Sequence, residues 1–186
     1  MDSTKVTASK PKVGGAIYAA PLGTSLPTDA STSLAAAFKE LGYVSEDGIT
    51  NSNSPESDVV KAWGGDTVLT LNQGKEDTFS MTLIEVMNLD VLKLVYGADN
   101  VTGTLATGIT IKANSKDVAE QSIVIDMVLK GDVMKRIVLP QAKVSEVGDI
   151  TYSDSDAVGY ETTLFCTADS NGNTHYEYIK SVSSST

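Results

Sequence analysis

Cys166 and His175 are the only thiol and the only imidazole in the sequence, so any nucleophilic chemistry has to start with them. A thiol beside an imidazole is the skeleton of a cysteine nucleophile. Pairing Tyr160 to Ala168 with His175 to Lys180 across a turn at Ser170-Asn171-Gly172-Asn173 would set the two diagonally on one face, about 7–8 Å apart between Cα atoms. No third group is evident to orient the ring, and ordinary hairpin packing accounts for the pairing. Asp169 to Asn173 begins like a calcium loop. It then has Thr174 where the glycine belongs and Lys180 where the bidentate glutamate belongs, so turn chemistry explains it better. Gly14-Gly15 and Gly64-Gly65 lack the lysine and helix of a phosphate loop. One histidine and one cysteine cannot make a zinc site. Asp154 and Asp156 read as solvated loop and not as an acid/base pair. The expectation is a protein with no catalytic residues, no cofactor and no metal.

Bulk properties agree. The 186 residues suit one domain, and 41% apolar with 20% charged residues is a globular composition. Fourteen Lys and Arg against 24 Asp and Glu leave a formal charge of −10. The cations stand singly, as at Lys61, Lys75, Lys93 and Lys112, so phosphate-binding clusters are missing. The N-terminus lacks an apolar segment, and no run approaches the roughly 18–20 residues of a membrane helix. The expectation is assembly in a cytoplasm, without a membrane anchor.

The elements that would position any site are mostly strands. Gly15 to Ala20 reads as a short strand ended by Pro21. Ser33 to Gly42, rich in alanine, reads as a short helix. Residues 43–65 read as a long polar loop broken by Asp47-Gly48 and Ser54-Pro55, the kind of loop that is functional or mobile. From Asp66, Val68 and Thr70 alternate with Leu69 and Leu71. After a turn at Asn72-Gln73-Gly74, Phe79, Met81 and Leu83 face one way and Thr78, Ser80 and Thr82 the other. Asn88 and Gly97 bracket a helix over Leu89–Tyr96. Residues 121–140 read as a hairpin about Gly131-Asp132. That register groups Ile123, Ile125, Met127 and Leu129 with Met134 and Val138, and leaves Asp126 on a mixed face that a partner would cover. Residues 1–12 and 181–186 read as loose arms. The fold class is mainly β: an antiparallel β-sandwich or barrel with one flanking α-helix and a long interaction loop.

One ordered set of segments goes beyond composition. Phe38-Lys39-Glu40-Leu41-Gly42-Tyr43-Val44-Ser45-Glu46-Asp47-Gly48-Ile49 resembles the stretch that siphophage major tail proteins carry after their first strand. Gly15 to Pro21 and Leu26-Pro27-Thr28-Asp29 precede it. Trp63-Gly64-Gly65, Glu76-Asp77-Thr78-Phe79 and Val95-Tyr96-Gly97 follow it, so the similarity runs from Gly14 to Lys180. The resemblance implies a β-sandwich or barrel protomer that closes into six-membered rings. The rings stack into a tail tube around a tape-measure protein, between terminator and tip proteins. DNA passes through without specific binding. An appended immunoglobulin-like domain, carried by some relatives, is not expected here, and the family has no catalytic residues to carry over.

On that reading the site is an assembly surface. Asn51, Pro55, Val59, Lys61 and Trp63, in the polar segment 43–65, are the candidates for reaching a neighbouring subunit. Glu76, Asp77 and Asp126, on or beside the long strands, are the candidate lumen acids. The competing reading is a non-catalytic β-sandwich binding or virion-surface module.

Overall fold

The computed structural model describes residues 1–12 and 16–181. The strands are β1 (Ser9–Pro11), β2 (Ile17–Pro21), β3 (Lys39–Glu40), β4 (Val44–Lys61), β5 (Thr67–Leu83), β6 (Val101–Thr104), β7 (Gly108–Ile111), β8 (Gln121–Leu129), β9 (Val133–Val147), β10 (Tyr160–Thr167) and β11 (Tyr176–Ser181). Among the described residues one α-helix, α1 (Leu89–Tyr96), lies between β5 and β6. The fold is mainly β with antiparallel sheets, as expected.

Among the described residues nine strands form one sheet, seven of them in the order β3-β2-β8-β9-β10-β5-β4 with β1 and β11 off this path. Two of its lanes hold two strands end to end. β1 and β2 both pair with β8, and β10 and β11 both pair with β9. The expected closing hairpin is therefore corrected: β10 and β11 do not pair with each other but follow one another along β9. The first twelve residues likewise are not simply a loose arm, because Ser9–Pro11 adds to β8 at Met127–Leu129. Of the other expected arm, residues 182–186 lie outside the described residues.

The main core fills one face. Ile17, Ile123, Ile125, Leu139, Phe79, Met81, Leu83 and Leu164 pack there with Val91, Leu92, Leu94 and Val95 of α1. The helix forms as its local signals predict: the Asn88 side chain accepts from the Asp90 N–H, and Gly97 returns an N–H to the Lys93 carbonyl. Covering four of its eight residues by tertiary packing holds a helix too short to persist alone.

The opposite face carries a smaller core of Ala20, Phe38, Val124 and Val138, with Leu26, Leu34 and Ala35 packed against it. Those last residues come from the connection between β2 and β3, so the chain itself covers the mixed face that was expected to need a partner. This also explains the missing helix at Ser33–Gly42. Phe38 belongs to the small core and Leu41 to the main one, and Lys39–Glu40 pairs with Tyr18–Ala19. One helical stripe could not serve both sides of a sheet, so alanine propensity gives way to tertiary demand. Gly42 then passes against Glu85 at φ +75°, where a Cβ would sit 2.0 Å from the carboxyl carbon.

The β8–β9 hairpin also shifts by one position. Leu129 pairs with Val133, so three residues form the loop and not two. Ile123, Ile125 and Met127 stand opposite Leu139, Ile137 and Lys135, while Asp126 stands opposite Arg136.

Candidate functional site

The expected loop at 43–65 is corrected most fully. Val44–Lys61 is an 18-residue strand running antiparallel to the 17 residues of β5. Strand periodicity is invisible there because almost none of β4 is buried on either face. Asp47-Gly48 marks a bulge between Val44 and Ile49, and Asn72 to Gly74 marks another, opposite Glu56 and Ser57. Pro55, opposite Lys75, is tolerated because β4 is an edge strand.

β10 accompanies β5 only from Thr78 to Leu83. Beyond that point β5 pairs only with β4 among the described residues, and the two continue as a two-stranded hairpin. Its β5 arm, Thr67 to Asp77, is roughly 35 Å long at strand rise. Hydrogen bonds from Ala62 N to Asp66 O and from Gly65 N to Ala62 O close the tip. Trp63 is wholly exposed there, and Val59, Val60, Val68, Leu69 and Leu71 are each more than 40% exposed. Pairing of Val60 with Leu69, and of Asp58 with Leu71, puts Val60, Leu69 and Leu71 on one face. Val59 and Thr70 lie on the other. An isolated two-stranded hairpin is marginal in water, and a cluster of exposed apolar side chains signals an interaction surface.

Pro55, Val59, Lys61 and Trp63 lie on the projecting part of β4 or at the tip, whereas Asn51, opposite Phe79, lies within the sheet at the base of the projection. Sequence reading missed their apolar companions Val60, Val68, Leu69 and Leu71. The alternation of Val68 and Thr70 with Leu69 and Leu71 after Asp66 was the available signal, but these residues were not joined to the candidate contact set.

The three candidate lumen acids separate. Glu76 is exposed on the β5 arm. Asp77 is fully buried where the hairpin leaves the sheet, accepting hydrogen bonds from Asn51 Nδ2 at 2.8 Å, Thr174 Oγ1 at 2.5 Å and His175 Nδ1 at 2.5 Å. Burial alone would raise its carboxyl, but the bonds from Thr174, His175 and Asn51 outweigh this and hold it below the ordinary carboxylate range. Asp126 is buried against Arg136, whose Nε and Nη2 donate to its two oxygens at 2.6 and 2.8 Å, and Lys12 approaches it at 3.3 Å. Arg136 Nη1 donates onward to the carbonyls of Asp29 and Thr32, bolting the connection over the smaller core. The hydrogen bonds that it donates to Asp126 come first in raising the guanidinium's affinity for its proton.

Among the described residues no hydrogen bond joins the Cys166 thiol to the imidazole, and the packing reading of this pair fits better than a nucleophilic one. His175 Nδ1 is occupied by Asp77, and its ring meets Phe79 edge-on at 5.4 Å. Cys166 is 2% exposed; burial first, and the Asp77 charge second, push its thiol up to about 12. A reactive cysteine needs the opposite shift. Asp169, read as the start of a calcium-like loop, accepts from the backbone N–H groups of Asn171 and Asn173 and from the Tyr176 hydroxyl. These contacts make it a turn cap.

Among the described residues, no helix is long and apolar enough to cross a membrane. A search of curated proteins finds no match to the chain. A family model described as "Phage tail tube protein" matches residues 3–185. The mainly β fold with its projecting hairpin and the extent of this match agree: the chain belongs to the phage tail tube protein family, a structural component of the virion tail that assembles into a tube.

Proposed function

We propose that six copies close into a ring, that rings stack through the β4–β5 hairpin, and that the resulting tube conducts DNA during genome delivery. The observation that carries this reading is the hairpin itself. It extends past the sheet with both faces open and gathers Val59, Val60, Trp63, Val68, Leu69 and Leu71 near its tip. A neighbouring copy would cover those side chains and supply the packing that two strands lack alone. Asn51 at the base, Pro55 and Lys61 along the edge and Trp63 at the tip are the contact residues of this reading. Six-fold symmetry, the tape-measure core and the terminator and tip partners follow from the siphophage resemblance.

The charge balance supports a conduit that does not hold its cargo. Each cation that pairs with a phosphate adds affinity, and contacts repeated ring after ring would accumulate into a trap. The half-buried face of β5 offers Thr78, Ser80 and Thr82, with Glu76 continuing it onto the hairpin. We assign this hydroxyl-rich, acid-flanked face to the lumen.

The test is assembly of the purified protein. Concentrated protein viewed by negative-stain electron microscopy should show rings or tubes. Excising Ser57 to Asn72 and closing the ladder with an Asn-Gly turn should leave a folded protomer that makes neither. Strictly monomeric wild-type protein across concentration, salt and pH would sink the assembly reading. Normal tubes from the excised protein would remove the hairpin's role.

A further inference from the structure

The proposed use of the hairpin leaves open what sets its angle to the sheet. Asp77 stands at the point of departure. On the inward face of β5, Phe79, Met81 and Leu83 are buried in the main core. Asp77 is the last buried residue in that row, and Lys75 beyond it is exposed. β10 pairs with β5 no further than Phe165 with Thr78. The chain of β10 instead turns away, through Asp169 and Asn173, and returns at Thr174 and His175 to begin β11 against β9. The two lanes therefore part at Asp77, with β5 leaving on one side and β11 on the other.

The carboxylate bridges this parting. Oδ1 accepts from Asn51 on β4, which also donates to the Thr78 carbonyl at 3.0 Å, and Oδ2 accepts from Thr174 and His175 on the far side. All three partners donate, so the negative charge is stabilised although no water reaches it. Resting on the reading that the hairpin is the assembly arm, we propose that Asp77 and His175 form the positioning clamp that fixes the hairpin on the protomer, the ring supplying the donor that ties the start of β11 to the root of β5.

The surroundings single out this pair. From β5 the charged group facing the ring is Asp77 itself, and β4 contributes Asn51, which has no charge. Cys166 on β10 is held as the neutral thiol by its burial. Lys135 on β9 and Glu177 on β11 pair with each other at 2.9 Å. Asp169 in the preceding turn is engaged by the Tyr176 hydroxyl at 2.6 Å.

Two measurements on the full chain test the clamp separately from assembly. Amide hydrogen exchange on dilute, unassembled protein should show residues Asn51–Asn53 and Glu76–Thr78 about five-fold less protected in His175→Ala than in wild type, the loss of one hydrogen bond to a carboxylate, with the β8–β9 core amides unchanged. His175→Asn keeps a donor near the Nδ1 position and should restore most of the protection. Asp77→Asn should lower it further than His175→Ala does. Tube yield should follow the same order. Wild-type protection in H175A, or no recovery in H175N, overturns the clamp even if tubes form normally. Failure of every variant to assemble would count against the assembly reading instead, and the exchange result would still decide the clamp.

Discussion

Asp126 and Arg136 face each other across the β8–β9 ladder, joined by two hydrogen bonds and almost completely removed from solvent, at 2% and 1% exposure. Their meeting depends on a three-residue loop at Lys130 to Asp132, in which Gly131 and Asp132 both take positive φ. A two-residue loop would put the two charges on opposite faces of the sheet.

Removing one member of this pair strands the other. Among the described residues, Arg136→Met leaves Asp126 with Lys12 as its cationic partner, and it releases the Asp29 and Thr32 carbonyls from their shared donor. The expected loss is about 3–5 kcal/mol in urea unfolding of the tip-excised protomer. The double variant Asp126→Leu with Arg136→Met should recover most of it, because no uncompensated charge remains. Equal instability of the single and double variants would mean that shape, and not charge, holds this part of the fold.

What the sequence revealed, and what it hid, follows the range of the forces involved. The helix at Leu89–Tyr96 was legible to the residue because Asn88 and Gly97 act within one turn. The alternation of Phe79, Met81 and Leu83 was legible because one face of that strand is buried. β4 was not, since a strand exposed on both faces leaves no apolar period to read. The continuation of β10 by β11 along β9 depends on a partner distant in sequence, so a local hairpin was the natural inference. Asp77 and His175 were each noticed, one as an acid and one as a possible base. Nothing local shows that two residues 98 positions apart meet at 2.5 Å.

Cys166 should behave as an inert core residue. With its thiol pushed up to about 12 by burial, iodoacetamide at pH 8 should label it only as fast as the protein opens. Labelling should become rapid in denaturant. Cys166→Ala should assemble like wild type while losing some stability to the small cavity. Fast labelling of the native protein would reinstate a reactive thiol.

Asp77 also sets an acid limit. Its folded pKa lies below the ordinary carboxylate value of about 3.9, so its contribution to stability is present above that value. The contribution is lost as pH falls through the folded pKa, when the carboxylate is protonated. Urea midpoints measured from pH 5 down to pH 2 should fall more steeply for wild type than for Asp77→Asn, which has no proton to take up there. Parallel profiles would show that the burial penalty and the three hydrogen bonds cancel.

The last prediction concerns Glu76, the one exposed residue among Glu76, Asp77 and Asp126. It continues the face that carries Thr78, Ser80 and Thr82, where Ser80 and Thr163 share a hydrogen bond of 2.9 Å and leave little unpaired polarity to grip a phosphate. If that face lines the tube, wild-type tubes should leave the mobility of duplex DNA unchanged at low salt. Glu76→Lys should still assemble, because the residue has no core contact to lose. It would convert one repelling charge in every subunit into an attracting one. Virions carrying that variant should release DNA more slowly, and the defect should shrink as salt rises, since counterion release drives the attraction. Ejection at the wild-type rate at every salt concentration would move Glu76 to the outside of the tube.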